Sequence, residues 1–405
     1  MFIPDPRDES RSVARFWAQF GARSCGQSWR GLVTSAALAL LLAGCGGDDG
    51  SSSSSSSTTT STSTTSSSDS STDSSTDSST SSDTSVSDCT DDSDEGAYVT
   101  CLAQAFYDSL STSQQSTVQL DLTQSNAVNY WTNLPVTSSN RKGISLSALS
   151  TSQYTIAEAL INAALSSQGQ TTMANLRDAD EYLAENGGGS SYGEDVYNIS
   201  FLGTPSTTSA WILEFTGHHY TWFYAMDASN EPVSLTPNFV GVEPVSYTSS
   251  GSTVTPMASE HDAMLAVLSS LSTSQLAAAK LSSSVSDLVV GPQEDGNYPS
   301  TQSGIAVSAL DSDQQALVKA AIAAYASDAN GTGQYDAYVT STALNSTYIS
   351  WSNYSDLSTK GSYMRIDGPR VWIEFSVQSG VVFSANHYHT IWRDKTYDYG
   401  GNFSF

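Results

Sequence analysis

Gly143-Ile144-Ser145-Leu146-Ser147-Ala148-Leu149-Ser150-Thr151-Ser152-Gln153 returns 161 residues later as Gly304-Ile305-Ala306-Val307-Ser308-Ala309-Leu310-Asp311-Ser312-Asp313-Gln314. Leu110-Ser111-Thr112-Ser113-Gln114 returns as Leu271-Ser272-Thr273-Ser274-Gln275 at the same spacing. Each stretch ends in a Ser or Asp followed three residues on by Gln. That pattern closes a capping box: the first side chain accepts a free N–H of the opening helical turn, and the Gln returns a bond to the cap's own N–H. Four helices are predicted to start at Ser111, Ser150, Ser272 and Asp311. Residues 153–165 and 314–325 are apolar at helical spacing and rich in good helix formers. Residues 97–110 and 258–271 read as the helix before each box.

Downstream of the helices the chain turns to β-branched and aromatic residues, the composition of strands. Strands are expected over 197–203, 210–215 and 219–226, and again over 363–369, 371–375 and 381–392. Trp211-Ile212-Leu213-Glu214-Phe215 and Trp372-Ile373-Glu374-Phe375 also stand 161 residues apart. The reading is an α+β fold duplicated internally, with helical pairs packed on antiparallel strands. Residues 94–250 form the first copy and 251–405 the second, together one pseudo-twofold domain. The Pro- and Gly-bounded segment 235–244 reads as a loop walling a pocket.

Four of the five histidines follow these strand motifs, as Gly217-His218-His219-Tyr220 and Asn386-His387-Tyr388-His389. Side chains alternate along a strand, so His387 and His389 share a face. His218 and His219 share one only if Gly217 marks a bulge. Two His on one face, a third from a neighbouring strand and a carboxylate suit a zinc- or copper-type ion. The expected ligands are His387, His389 and His218 or His219, with Glu214 or Glu374 as carboxylate and general base. The competing reading is a set of cross-sheet hydrogen bonds with no ion. His261, beside Glu260 on a helix, reads as a solvated bystander. Basic residues are scarce, 15 Lys and Arg in 405. Arg141, Arg365 and Arg393 near the strands, with Asp394, are candidates to orient a ligand.

These residues resemble the domain of unknown function 3500 family over about residues 97–405. The resemblance rests on Trp131-Thr132-Asn133-Leu134-Pro135, Arg141-x-Gly143, Gly217-His218-His219 and Thr236-Pro237-x-Phe239-x-Gly241-x-x-Pro244. It continues through Arg365-Ile366-Asp367-Gly368-Pro369, Glu374, His387-x-His389, Arg393-Asp394 and Asp398-Tyr399-Gly400. The family implies no established activity, so the resemblance supports the polar site and leaves its chemistry open.

The N-terminal part has a different composition. Arg7, Arg11, Arg15, Arg23 and Arg30 precede an apolar run over 32–43 and then Leu42-Ala43-Gly44-Cys45. A basic segment, a short apolar run and small residues before a Cys make a secretory lipoprotein signal over 1–44, with Cys45 lipidated. The run is too short to span a bilayer. Residues 45–93 are dominated by Ser, Thr and Asp and cannot bury enough apolar surface to order. They read as a tether of roughly 35 Å to an outer membrane or cell surface. Cys89 and Cys101 remain as an even pair, expected to form a disulfide in an oxidising compartment.

The net charge of −26 argues against nucleic acid as a partner, since phosphate contacts need a basic footprint. The membrane is expected as a partner only through the lipid. Gly189-Ser190-Ser191-Tyr192-Gly193 matches a nucleophile elbow but lies between a helix and a strand, the wrong order for that turn. No His-Glu-x-x-His, phosphate loop or dinucleotide fingerprint occurs. Two function classes remain: a metal-dependent hydrolase of unknown substrate, or a binding lipoprotein that uses the same pocket without turnover.

Overall fold

The computed structural model describes residues 86–90, 94–137 and 139–405, all within the unit Ser78–Phe405. The signal segment 1–44, Cys45 and the tether up to residue 85 lie outside the described residues.

Helices form where the caps place them. They are α1 (Glu95–Asp108), α2 (Thr112–Val118), α3 (Thr151–Ala164), α4 (Ser167–Leu183), α5 (Ala258–Ser270), α6 (Thr273–Ala279) and α7 (Ser312–Ala326). The boxes at Ser111, Ser150, Ser272 and Asp311 are all closed. A cap of this kind stabilises by about 1 kcal/mol. Two of the glutamines also reach the preceding helix: Gln153 Nε2 donates to Ser109 O at 2.9 Å and Gln314 Nε2 to Ser270 O at 2.8 Å. The helices therefore pair, α1 on α3 and α5 on α7. Cys89 and Cys101 are disulfide-bonded, which ties the turn at Val86–Asp88 to α1.

The strands, in chain order, are β1 (Gln119–Leu120), β2 (Ile144–Ser145), β3 (Tyr197–Leu202), β4 (Trp211–Gly217), β5 (Tyr220–Met226), β6 (Pro232–Ser234), β7 (Asn238–Val242), β8 (Tyr247–Ser249), β9 (Ser252–Val254), β10 (Ile305–Ala306), β11 (Tyr348–Ser352), β12 (Tyr363–Asp367), β13 (Val371–Ser379) and β14 (Asn386–Asp394). Among the described residues twelve of them form one sheet in the order β1-β3-β4-β5-β7-β14-β13-β12-β11-β10, with β2 beside β3 and β6 beside β5. The pairing of β1 with β3 is parallel and the other pairings are antiparallel. Helices and an antiparallel sheet together make an α+β fold.

Most of the longer strands are buried on both faces, and alternation divides their side chains by chemistry. One face carries Ile199, Leu213, Phe215, Trp222, Val240, Phe375 and Ile373 into a core with Leu102, Phe106, Leu160, Ile161, Met264, Val267 and Ile322 of the helices. The other face is mixed. It has a smaller apolar cluster of Leu202, Ile212, Phe223, Phe239 and Ile391, covered by Trp131 and Tyr399. Around that cluster lie buried polar groups, among them Glu214, Arg365, Glu374, His387, His389 and Arg393.

The structure corrects three expectations. Segment 235–244 is not simply a loop, because Asn238–Val242 is a strand at the centre of the sheet, between β5 and β14. The two Trp-centred motifs do not occupy matching places: β4 lies two strands from β7, whereas β13 adjoins β14. The helices and the short strands β2 and β10 keep the 161-residue spacing, and the longer strands do not. Finally, β4 ends at Gly217, so His218 and His219 form a turn and belong to neither strand face.

Candidate functional site

Strand β7 brings the two histidine clusters together. Its Gly241 stands opposite His389 of β14, and its N–H donates to His219 O at 2.6 Å. A side chain at 241 would press on Tyr388 O at 2.8 Å and on the His219 ring at 3.3 Å. Glycine here admits the close approach of the turn to the strand. His219 itself has φ +59°, the left-handed region that a residue with a Cβ enters at a cost of roughly 1–2 kcal/mol. Its ring stacks on His218 at 3.7 Å between centroids and lies 5.2 Å from His387 and 5.1 Å from His389.

His219, His387 and His389 each offer a nitrogen, and these three atoms lie within 4.8 Å of one another. All three residues are buried, so the group can hold a metal ion. His387 Nε2 and His389 Nε2 are 2.9 Å apart. Two tetrahedral zinc ligands stand about 3.3 Å apart at the usual ~2.0–2.1 Å bond length, so a small opening of the pair admits an ion. His219 Nδ1 is buried without a hydrogen-bond partner, an uncommon state for a buried polar atom. Burial, then the neighbouring imidazoles, pushes His219 well below the ordinary imidazole range. Burial and then His389 bring His387 down to about 3. Both rings are therefore neutral at physiological pH, the form that binds a metal.

Two carboxylates hold histidines, and neither was a candidate from sequence. Asp287 accepts from His389 Nδ1 at 3.0 and 3.2 Å, which turns Nε2 toward the other rings. Asp180 of α4 lies 2.6 Å from His218 Nδ1 and also accepts Gly193 N at 3.3 Å. Tyr192 packs its edge on the His218 ring at 4.6 Å. His218 thus stacks behind His219 and stands outside the three-nitrogen group. One signal for Asp180 was present in the sequence. It lies in the buried stripe Met173, Leu176, Asp180, Leu183 of α4, where a carboxylate needs a partner. Asp287 follows a run of Ser and Val with no periodicity that would single it out.

The expected carboxylate ligands are engaged elsewhere. Glu374 Oε1 accepts from Val289 N at 2.6 Å and Tyr363 OH at 2.7 Å. Its Oε2 accepts from Val290 N at 2.9 Å and Trp372 Nε1 at 2.8 Å. With four donors it has no room to act as a base. It anchors the loop that presents Asp287. Burial raises its pKa, and the donors oppose that rise. Glu214 accepts from Ser200 Oγ at 2.6 Å, and burial lifts it to about 7.

The candidate ligand-orienting groups are similarly committed. Arg141 donates to Leu134 O at 3.1 Å, to Gly217 O at 2.8 Å and to the carbonyls of Thr132 and Asn140. Arg393 is fully buried, pairs with Asp295 and Asp398, and donates to Val290 O and Gly291 O. It grips the same loop as Glu374. Asp394 points to the helical face, where Arg370 and Tyr338 bind it. Arg365 is buried, with its guanidinium 5.0 Å from the Trp372 ring. His261 is no solvated bystander: its ring stacks on Tyr388 at 5.4 Å and bonds Asp262. Tyr388 lies on the face of β14 opposite His387 and His389.

No curated protein and no solved structure matches this chain. Residues 93–401 match the family described as Protein of unknown function (DUF3500), a span that takes in every residue of the histidine centre. The chain belongs to that family.

Proposed function

We propose that this chain is an extracytoplasmic lipoprotein that binds one zinc or copper ion through His219, His387 and His389, and that the centre is of the catalytic, hydrolytic kind. The observation that carries the reading is the convergence of three buried, neutral imidazoles from two distant segments. Three protein ligands leave a position open, as in catalytic zinc sites, whereas structural sites are closed by four. When bound, such an ion supplies Lewis acidity and an acidified water. The chain's own part is to hold the rings. Asp287 fixes the tautomer of His389, a partnership typical of metal-bound histidine. Gly241 lets His219 approach, and Glu243 holds the turn before His387 by accepting Val382 N at 2.8 Å and Phe383 N at 2.7 Å. The apolar run ending in Leu42-Ala43-Gly44-Cys45 supports export and lipidation. The recurrence of the capped helices at 161 residues supports a duplicated origin for 94–250 and 251–405.

A second reading rests on the 2.9 Å separation of His387 and His389. Asp287, His389 and His387 then form a hydrogen-bonded chain that binds a polar ligand without a metal. Elemental analysis of protein purified without a His tag separates the two. The metal reading expects about one ion per chain, lost in His219→Ala, His387→Ala and His389→Ala and kept in His218→Ala and His261→Ala. Folded variants that all retain the wild-type metal content would remove it. Cys45→Ser should move the protein from the detergent phase to the aqueous phase; unchanged partition would refute lipidation.

A further inference from the structure

We infer that Asn133 is the residue that receives the oxygen of the bound ligand beside the metal, and that this ligand is an uncharged carbonyl compound such as an ester or amide. The inference rests on the metal reading above. Asn133 Nδ2 lies 3.4 Å from His389 Nε2, the nitrogen that faces His387. That distance is beyond a good hydrogen bond, so the amide borders the centre without being engaged by it. Its Oδ1 accepts only a 3.4 Å contact from Thr132 Oγ1. Asn133 is half-buried, and Asp287 on the other side of His389 has a side chain 45% exposed. The buried rings therefore meet solvent between these two residues.

Asn133 is held in place from both sides. Arg141 donates to the carbonyls of Thr132 and Leu134, the residues before and after it, and to Gly217 O ahead of the histidine turn. One guanidinium thus fixes the amide relative to His218 and His219. Donors set in advance beside a reacting oxygen cost no reorganisation when the ligand arrives. The charge at the mouth selects the ligand. An anion entering there meets the Asp287 carboxylate, and the positive charge of Arg141 is turned to three backbone carbonyls. A neutral carbonyl avoids that repulsion and accepts the amide N–H.

The test uses the mature, full-length protein loaded with Co2+, whose visible spectrum reports on added ligands. Acetohydroxamic acid, uncharged near pH 7, is titrated against azide in wild type, Asn133→Ala and Asn133→Asp. The Asp variant keeps the shape but loses the N–H donor. Both variants should bind Co2+ within about twofold of wild type and bind the hydroxamate about tenfold more weakly, the scale of one lost hydrogen bond. Arg141→Lys should weaken the hydroxamate in the same direction by freeing the 132–134 backbone. Unchanged hydroxamate binding in both Asn133 variants overturns the assignment. So does a fall in Co2+ affinity, which would make Asn133 a ligand of the ion. Azide binding tighter than hydroxamate in wild type overturns the neutral-carbonyl choice. A wild type that takes up no Co2+ defeats the metal reading itself, a result distinct from the others.

Discussion

Glu374→Gln separates a base from an anchor. As a catalytic base, Glu374 would tolerate the isosteric change with its fold intact. The geometry gives a different outcome. Each carboxylate oxygen accepts one backbone N–H and one side-chain donor: Val289 N with Tyr363 OH, and Val290 N with Trp372 Nε1. Whichever oxygen becomes an NH2 group, two donors then face a donor. The Tyr363 hydroxyl can rotate and accept, but a backbone or indole N–H cannot. One to two buried donors are left unsatisfied, at roughly 1–3 kcal/mol each, so the loss is about 2–5 kcal/mol. A domain this large shifts by about 2 °C per kcal/mol, which puts the melting point down by about 4–10 °C. Differential scanning calorimetry reads the shift directly. Metal affinity should fall as well, because the loosened 287–290 loop carries Asp287. A variant that melts within about 1 °C of wild type and keeps its metal would refute the anchoring role.

Two other outcomes follow from buried acids. Asp287→Asn should weaken metal binding by about 10–100-fold, the usual cost of losing a carboxylate behind a ligating histidine; competition with a chelator measures it, and an unchanged constant removes Asp287 from the centre. Glu260, in the first turn of α5, is raised to about 8 by burial and then by Asp328, itself raised to about 7 by burial. Tyr220 and Tyr325 also face this pair. Both acids are protonated in the fold at mildly acidic pH, and the unfolded chain ionises them near the ordinary carboxylate range. Their contribution is fully present below that range and declines as pH climbs through about 7 and then about 8. Urea midpoints should therefore drop across that window, and Glu260→Gln should flatten the drop. Parallel pH profiles for the two proteins would show that Glu260 is not the cause.

The sequence alone determined the features that depend on neighbours a few residues away. Ser111, Ser150, Ser272 and Asp311 start helices because the cap and its Gln lie three residues apart, and no distant contact is needed to choose that conformation. His387 and His389 share a face because strand alternation is local. The tertiary structure decided the rest. Pro237 and Pro244 made 238–242 read as a loop, yet these five residues have strands on both sides, which satisfy their backbone and make them the seam of the sheet. That seam sets His219 against His389. The role of Glu374 depended on Val289 and Val290, more than 80 residues upstream, so its side chain read as a base until the loop that occupies it was in place. Asp180, Asp287 and Asn133 reach the histidines from a helix and two loops far away in the chain, and no local spacing encodes a meeting that depends on how the layers pack.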